Sequence, residues 1–215
     1  MEVREIREKY PYLYETHLHT REASACAKNS AQEMVQAAKD YGYAGIFVTN
    51  HAWYGNTSVD RSLPWEEWVH GFCAPFYTAK AYGDQIGLSV FFGYESCYQG
   101  TEFLIYGVDE EWLLTHPEIK DATITEQLQL VREQGGLVMH AHPFREEAYI
   151  PRVRLFPELV DGVEGINATH SSHLSTSHND PRFDERAIAY AREHDLPMSA
   201  GSVSYTHLTL PTKLE

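Results

Sequence analysis

Short apolar runs that end in a histidine or a glutamate recur along this chain, and that recurrence limits its folds more than any other feature. The first is Tyr14-Glu15-Thr16-His17-Leu18-His19-Thr20. Gly45-Ile46-Phe47-Val48-Thr49 then delivers Asn50 and His51, residues 88–94 end in Glu95, and Leu137-Val138-Met139 runs into His140-Ala141-His142-Pro143. Runs this short have strand length, and helical patterns separate most of them. The alternation predicts an α/β fold with a largely parallel sheet. At 215 residues, one barrel-sized domain accommodates it.

The intervening segments carry their own start and stop signals. Ser30-Ala31-Gln32-Glu33 is a capping box opening a helix whose buried face is Met34, Ala37, Ala38 and Tyr41, with Gly42 placed to end it. Pro64 opens a second helix over residues 64–81, where Trp65, Trp68, Val69, Phe72 and Phe76 form a core stripe at helical spacing. Glu102-Phe103-Leu104-Ile105-Tyr106 follows Glu95 too closely for a crossover helix, so this strand is expected to be antiparallel or peripheral. Residues 125–134 read as a helix ended by Gly135-Gly136. Beyond them come a strand at Gly162-Val163-Glu164-Gly165-Ile166-Asn167, a His/Ser-rich loop, a helix over 181–193 and a strand at Pro197-Met198-Ser199-Ala200.

Charge and cysteine usage exclude some classes. A formal net charge of −14 argues against long nucleic acid as a partner, because phosphate contacts need clustered Lys and Arg. A small phosphorylated ligand stays open, since bound metal inverts the local sign of charge. Cys26, Cys73 and Cys97 are scattered without Cys-x-x-Cys spacing, which favours reduced thiols and a cytoplasmic location. No run has membrane-spanning length, and the N-terminus lacks signal-peptide regions.

Chemistry is expected where the runs end. In parallel α/β folds, functional side chains gather at the carboxyl ends of strands. His17 and His19 are two apart in an extended segment and share a face. With His51, Glu95 and His142 they make a mixed imidazole and carboxylate set, which suits Zn, Mn or Fe better than Mg or Ca. A carboxylate such as Glu95 can bridge two ions, which makes a two-metal centre the expectation.

At these residues the chain resembles the PHP (polymerase and histidinol phosphatase) family of metal-dependent phosphoesterases. The matching stretches are His17-Leu18-His19-Thr20, Val48-Thr49-Asn50-His51, Gly93-Tyr94-Glu95, Ala141-His142-Pro143-Phe144-Arg145 and Ala200-Gly201-Ser202. The resemblance implies a distorted (β/α)7 TIM-like barrel over residues 1–202 with two or three divalent ions. It implies His17, His19, His51, Glu95 and His142 as ligands, with Glu102 as a further candidate. Glu95, His142 and His51 are the expected catalytic set. The implied activity is hydrolysis of a small phosphorylated substrate by a metal-bound hydroxide. Arg145 is a candidate phosphate clamp, because its planar fork matches phosphate oxygens; His170 and Asn167 are further substrate-binding candidates.

Other histidines weigh less. His140 shares a strand face with His142 and is expected to line the pocket, whereas His173 and His178 read as a solvated loop. His70, His116 and His194 read as structural or exposed, and Cys26 as a buried, inert thiol. Three positions, in two stretches, depart from the family pattern. Asn50 replaces the usual Asp, and Val203 and Tyr205 stand where the family has its last Asp and His; His207 is two residues out of register. Residues 203–215, ending in Leu214-Glu215, read as a non-native tail. The expectation is therefore a barrel truncated at its C-terminal end that binds metal but hydrolyses poorly.

Two other classes compete. Amidohydrolases also begin with His-x-His on a barrel strand, but often carry a bridging modified lysine, and no Lys follows a comparable strand here. A non-catalytic, metal-stabilised PHP module is the alternative without chemistry.

Overall fold

The computed structural model describes residues 8–172 and 178–202. Seven strands form one sheet in chain order: β1 (Tyr14–Leu18), β2 (Gly45–His51), β3 (Ser89–Tyr98), β4 (Thr101–Tyr106), β5 (Leu137–Ala141), β6 (Gly162–Asn167) and β7 (Met198–Gly201). Neighbours pair in parallel except around β4, which is antiparallel to both β3 and β5. The last strand returns to the first. Thr16 Oγ1 donates to the Ala200 carbonyl at 3.0 Å, and the Ser202 amide donates to the Glu15 carboxylate at 3.1 Å. The result is a nearly closed seven-stranded barrel, a distorted relative of the TIM architecture.

One distortion has a clear local cause. Gln99 and Gly100 link β3 to β4 with φ of 53° and 81°, the two positive values that a tight two-residue hairpin turn requires. No helix fits in that link. The fourth strand is antiparallel as expected, yet it is central rather than peripheral and buried throughout.

Helix α1 (Ala31–Asp40) begins at the capping box: the Glu33 amide donates to Ser30 Oγ at 3.2 Å and the Ser30 amide to the Glu33 carboxylate at 2.7 Å. Its buried residues are Ala31, Met34, Val35 and Ala38, while Tyr41, expected inside, is exposed at the helix end. Gly42 follows with φ 79°, the left-handed conformation that ends helices. Helix α2 (Trp65–Ile86) runs past residue 81 to Gly87, at φ 72°. The added turn is held because Tyr82 and Ile86 pack on the cluster of Leu18, Met34, Ile46 and Val90. Helix α3 (Glu110–Thr115) and a 3₁₀ turn (Pro117–Lys120) precede α4 (Ile124–Glu133), whose Thr123–Glu126 capping box starts it one position before the sequence pattern. A single turn, α5 (Ala168–Ser171), and helix α6 (Arg182–Glu193) lie between β6 and β7.

The larger core cluster joins Trp68 and Phe72 of α2 to Tyr94, Phe103, Ile105, Leu113 and Leu128. Among the described residues, no helix is long and apolar enough to cross a membrane. The suspected tail, with Val203, Tyr205 and His207, lies outside the described residues, as does His173.

Candidate metal centre

Each ligand candidate is placed by a specific backbone feature. The β1–β2 register shifts between Glu15 and Leu18, and Thr49 spans the irregularity: Leu18 N–H donates to Thr49 Oγ1 at 2.9 Å, and Thr49 Oγ1 donates to the Leu18 carbonyl at 3.2 Å. Bulges of this kind re-aim side chains. His17 and His19 emerge fully buried, with their Nε2 atoms 3.2 Å apart. The unbroken β2–β3 register sets His51 directly beside Glu95. His142 follows β5 at φ 26°, a strained conformation for a residue with a side chain, costing about 1–3 kcal/mol and typical of functional sites.

Glu95 is the hub. Its Oε1 lies 3.3 Å from His17 Nε2 and 3.1 Å from His142 Nε2. Its Oε2 lies 2.8 Å from His51 Nδ1 and 3.4 Å from His19 Nε2. The five residues thus form two groups sharing one carboxylate, His17–Glu95–His142 and His19–His51–Glu95, each with donor atoms within 4.8 Å of one another. His51 Nδ1 and Glu95 Oε2 are buried, close and yet not aligned for a hydrogen bond. Buried polar atoms left this way are costly unless something else binds them. A divalent ion in each group fits that donor set.

The charges are sharply divided. Burial would raise the Glu95 carboxyl, but His17 and His51 hold it well below the carboxylate range. His17 is opposed by burial, yet Glu164 and Glu95 lift it well above an ordinary histidine, and His51 rises to about 10 against burial through Glu95. His19 is driven well down by burial and by His51, and His142 is lowered by burial and by Arg145.

A second layer supports the ligands. Glu164 of β6 sets Oε1 2.8 Å from His17 Nδ1, and its Oε2 accepts the His142 amide and Asn167 Nδ2, both at 3.0 Å. A register shift between Glu164 and Ile166 lets Glu164 and Asn167 meet. Glu15 accepts the His17 amide at 2.9 Å as well as the Ser202 amide. Sequence reasoning missed both carboxylates. The available signals were an acid inside an apolar strand, and an acid two residues before His17 on its face.

Asn50 binds no histidine directly. Its Oδ1 accepts Thr20 N–H at 2.7 Å and Ser24 Oγ at 3.0 Å, and Ser24 Oγ in turn accepts the His51 amide at 3.0 Å. Glu102 stands at the edge of the centre, with Oε2 3.4 Å from His142 Nε2, and receives a hydrogen bond from buried Arg145. Asn167 touches the centre through Glu164. His170 lies farther out: it is buried, its Nδ1 is 2.6 Å from Asp184 Oδ1, and its Nε2 has no partner among the described residues.

Several lesser expectations are corrected. His140 does not line the pocket but stacks on Phe103 at 4.9 Å, because the turn at His142 breaks the strand alternation; burial takes it down to about 3. His178 is half-buried and pairs with Glu147 at 2.5 Å rather than lying solvated. Cys26 is half-buried beside His51, not enclosed. His70 is exposed, His116 stacks on Trp112 and His194 packs on Tyr190, all structural or exposed as expected.

No sequence-family model and no curated protein matches this chain. Its fold, however, matches solved structures. A protein of Bifidobacterium adolescentis provisionally described as a metal-dependent phosphoesterase superposes with a TM-score of 0.60 at 14% identity, covering 92% of this chain and 89% of that one. A two-domain protein of Bacteroides vulgatus containing a predicted PHP-like metal-dependent phosphoesterase gives 0.59 at 14% identity over 88% of this chain, which spans 51% of that one. An amidohydrolase from Chromobacterium violaceum, with bound sulfate and no metal, gives 0.59 at 11% identity, covering 89% of this chain and 87% of that one. The barrel is therefore the distorted TIM-like fold found in PHP-like proteins.

Proposed function

We propose that this chain is a PHP-type metal-dependent phosphoesterase acting on a small phosphorylated substrate, its turnover slowed by Val203 and Tyr205 in place of the family's last two ligands. The observation that carries the reading is Glu95, whose two carboxylate oxygens each face a separate histidine pair. One divalent ion (Zn, Mn or Fe) would be held by His17, His142 and Glu95, with Glu102 at its edge. A second would be held by His19, His51 and Glu95. Such ions supply an acidified water and positive charge for phosphoryl oxygens.

The protein's own groups set the geometry. Glu164 orients the His17 ring through Nδ1, leaving Nε2 directed at the centre. Arg145, Asn167 and His170 are the proposed substrate contacts, and Arg145 reaches a phosphoryl oxygen by exchanging its Glu102 partner. The C. violaceum neighbour invites an amidohydrolase reading. Against it, a carboxylate, Glu95, occupies the position shared by the two groups. A cytoplasmic location and no long nucleic-acid partner complete the proposal.

The test is hydrolysis of 4-nitrophenyl phosphate by chain supplied with Mn or Zn, alongside metal analysis. The expected result is metal-dependent release of phosphate that falls at least about 100-fold in Glu95→Gln, with loss of bound metal. Two bound ions without hydrolysis across a phosphoester panel would leave the non-catalytic module; no bound ion would remove the whole reading.

A further inference from the structure

A cavity of about 260 Å³ lies under the loop that follows β2, walled by Trp53, Trp65 and Trp68 with Tyr54, Arg61 and Lys120 around it. The tryptophans form a cage: Trp65 and Trp68 stack nearly parallel at 5.6 Å, and Trp53 meets them edge-on at 5.4 and 5.9 Å. Their polar atoms are used unequally. Trp65 Nε1 donates to the Leu113 carbonyl at 2.8 Å, whereas Trp68, which also lines the cavity, has a buried Nε1 with no partner among the described residues. A buried indole N–H normally finds an acceptor.

Charge narrows the occupant. Among the described residues no acid lines the cavity, although the chain carries a net −14, and both charged lining residues are cations. Arg61 donates to the Gly55 carbonyl and keeps further N–H donors, while Lys120 has no ion pair among the described residues. We propose that this cavity binds a small planar aromatic anion, its ring against the tryptophans and its charge at Arg61 and Lys120. The volume admits about one ring system, at the small end for ligand sites. The metal centre is one residue away: Gly55 packs so closely on His51 that a Cβ there would meet Nδ1 at 3.2 Å. The anion is therefore either the organic part of a substrate held at that centre or a separate ligand.

The chain's four tryptophans permit a direct test, because the fourth, Trp112, packs on His116 outside the cavity and serves as a reference. Indole N–H resonances of the metal-free full chain are followed during titration with phenylphosphonate, benzoate, methylphosphonate and benzyl alcohol. The expected result is saturable shifts at Trp68 and Trp65 with the two aromatic anions and none at Trp112. Methylphosphonate and benzyl alcohol should bind at least about tenfold more weakly, and Lys120→Met should weaken benzoate about fivefold. Zn that tightens phenylphosphonate but not benzoate supports the substrate's organic part as the source, and Zn that changes neither supports a separate ligand. Absence of saturable shifts in the wild type up to about 10 mM, or equal binding of charged and neutral probes, overturns the proposal. Because the binding assay omits metal, it can succeed where the phosphoesterase reading fails, and the reverse.

Discussion

Nδ1 of His17 lies 2.8 Å from Oε1 of Glu164, both side chains fully buried, so a ligand candidate on one strand is oriented by a carboxylate five strands further along the chain's sheet order. A histidine whose outer nitrogen is tied to a carboxylate presents the other to metal in a fixed direction and with greater basicity. Glu164 itself stays ionised, down to about 2, because His17 outweighs the burial that would raise it. Glu164→Gln is expected to fold and to lose about 10–100-fold in metal affinity. Titration with Zn against a competing chelator measures it, and an unchanged affinity would contradict the assigned role.

Gly201 stands between those same two residues. A Cβ added there would collide with Glu164 Oε1 and sit 2.5 Å from His17 Cβ. Overpacking of this kind costs about 1–3 kcal/mol. Gly201→Ala should therefore lower the melting temperature and reduce bound metal together. A variant with wild-type metal content would show that β7 does not constrain the centre.

Arg145 and Glu102 are a buried ion pair at the site's edge. Removing one partner strands the other's charge, whereas replacing both with apolar groups is often neutral. Arg145→Ala is expected to destabilise the chain by about 3–5 kcal/mol, and Arg145→Met with Glu102→Leu to recover most of that. Denaturant unfolding of the single and double variants decides. Equal stability of Arg145→Ala and wild type would mean that the pair is not formed in solution.

Asn50 organises the loop after β1 through the Thr20 amide and the Ser24 hydroxyl. Asn50→Ala leaves those buried donors without an acceptor, at a cost of about 1–3 kcal/mol. Asn50→Asp keeps the acceptor, and the Thr20 hydroxyl, now an acceptor of Asn50 Nδ2 at 3.1 Å, can turn to donate. It should fall within about 1 kcal/mol of wild type. Thermal unfolding of the two variants checks the order.

Much of this architecture is local, and local features are written in sequence. The capping box at Ser30, the alternation of strand and helix patterns and the ligand candidates His17, His19, His51, Glu95 and His142 all follow from spacing and residue chemistry within short windows. Helix α2 shows where the windows end: its last turn is stabilised by packing of Tyr82 and Ile86 on another element, which periodicity over residues 64–81 does not carry.

By itself the sequence determined that strand ends would present imidazoles and a carboxylate, because side-chain direction along an extended segment repeats every two residues. Only the tertiary structure decided how they divide. Closing the sheet brought β6 and β7 back against β1, and that alone gave His17 the Glu164 carboxylate and gave Glu15 the Ser202 amide. The same closure split Glu95 between two histidine pairs, and the turn at His142 aimed that ring at Glu95 while His140 stayed with its strand partner Phe103 in the core. These contacts join residues far apart in the chain, and their geometry depends on strand register and bulges that no local pattern encodes.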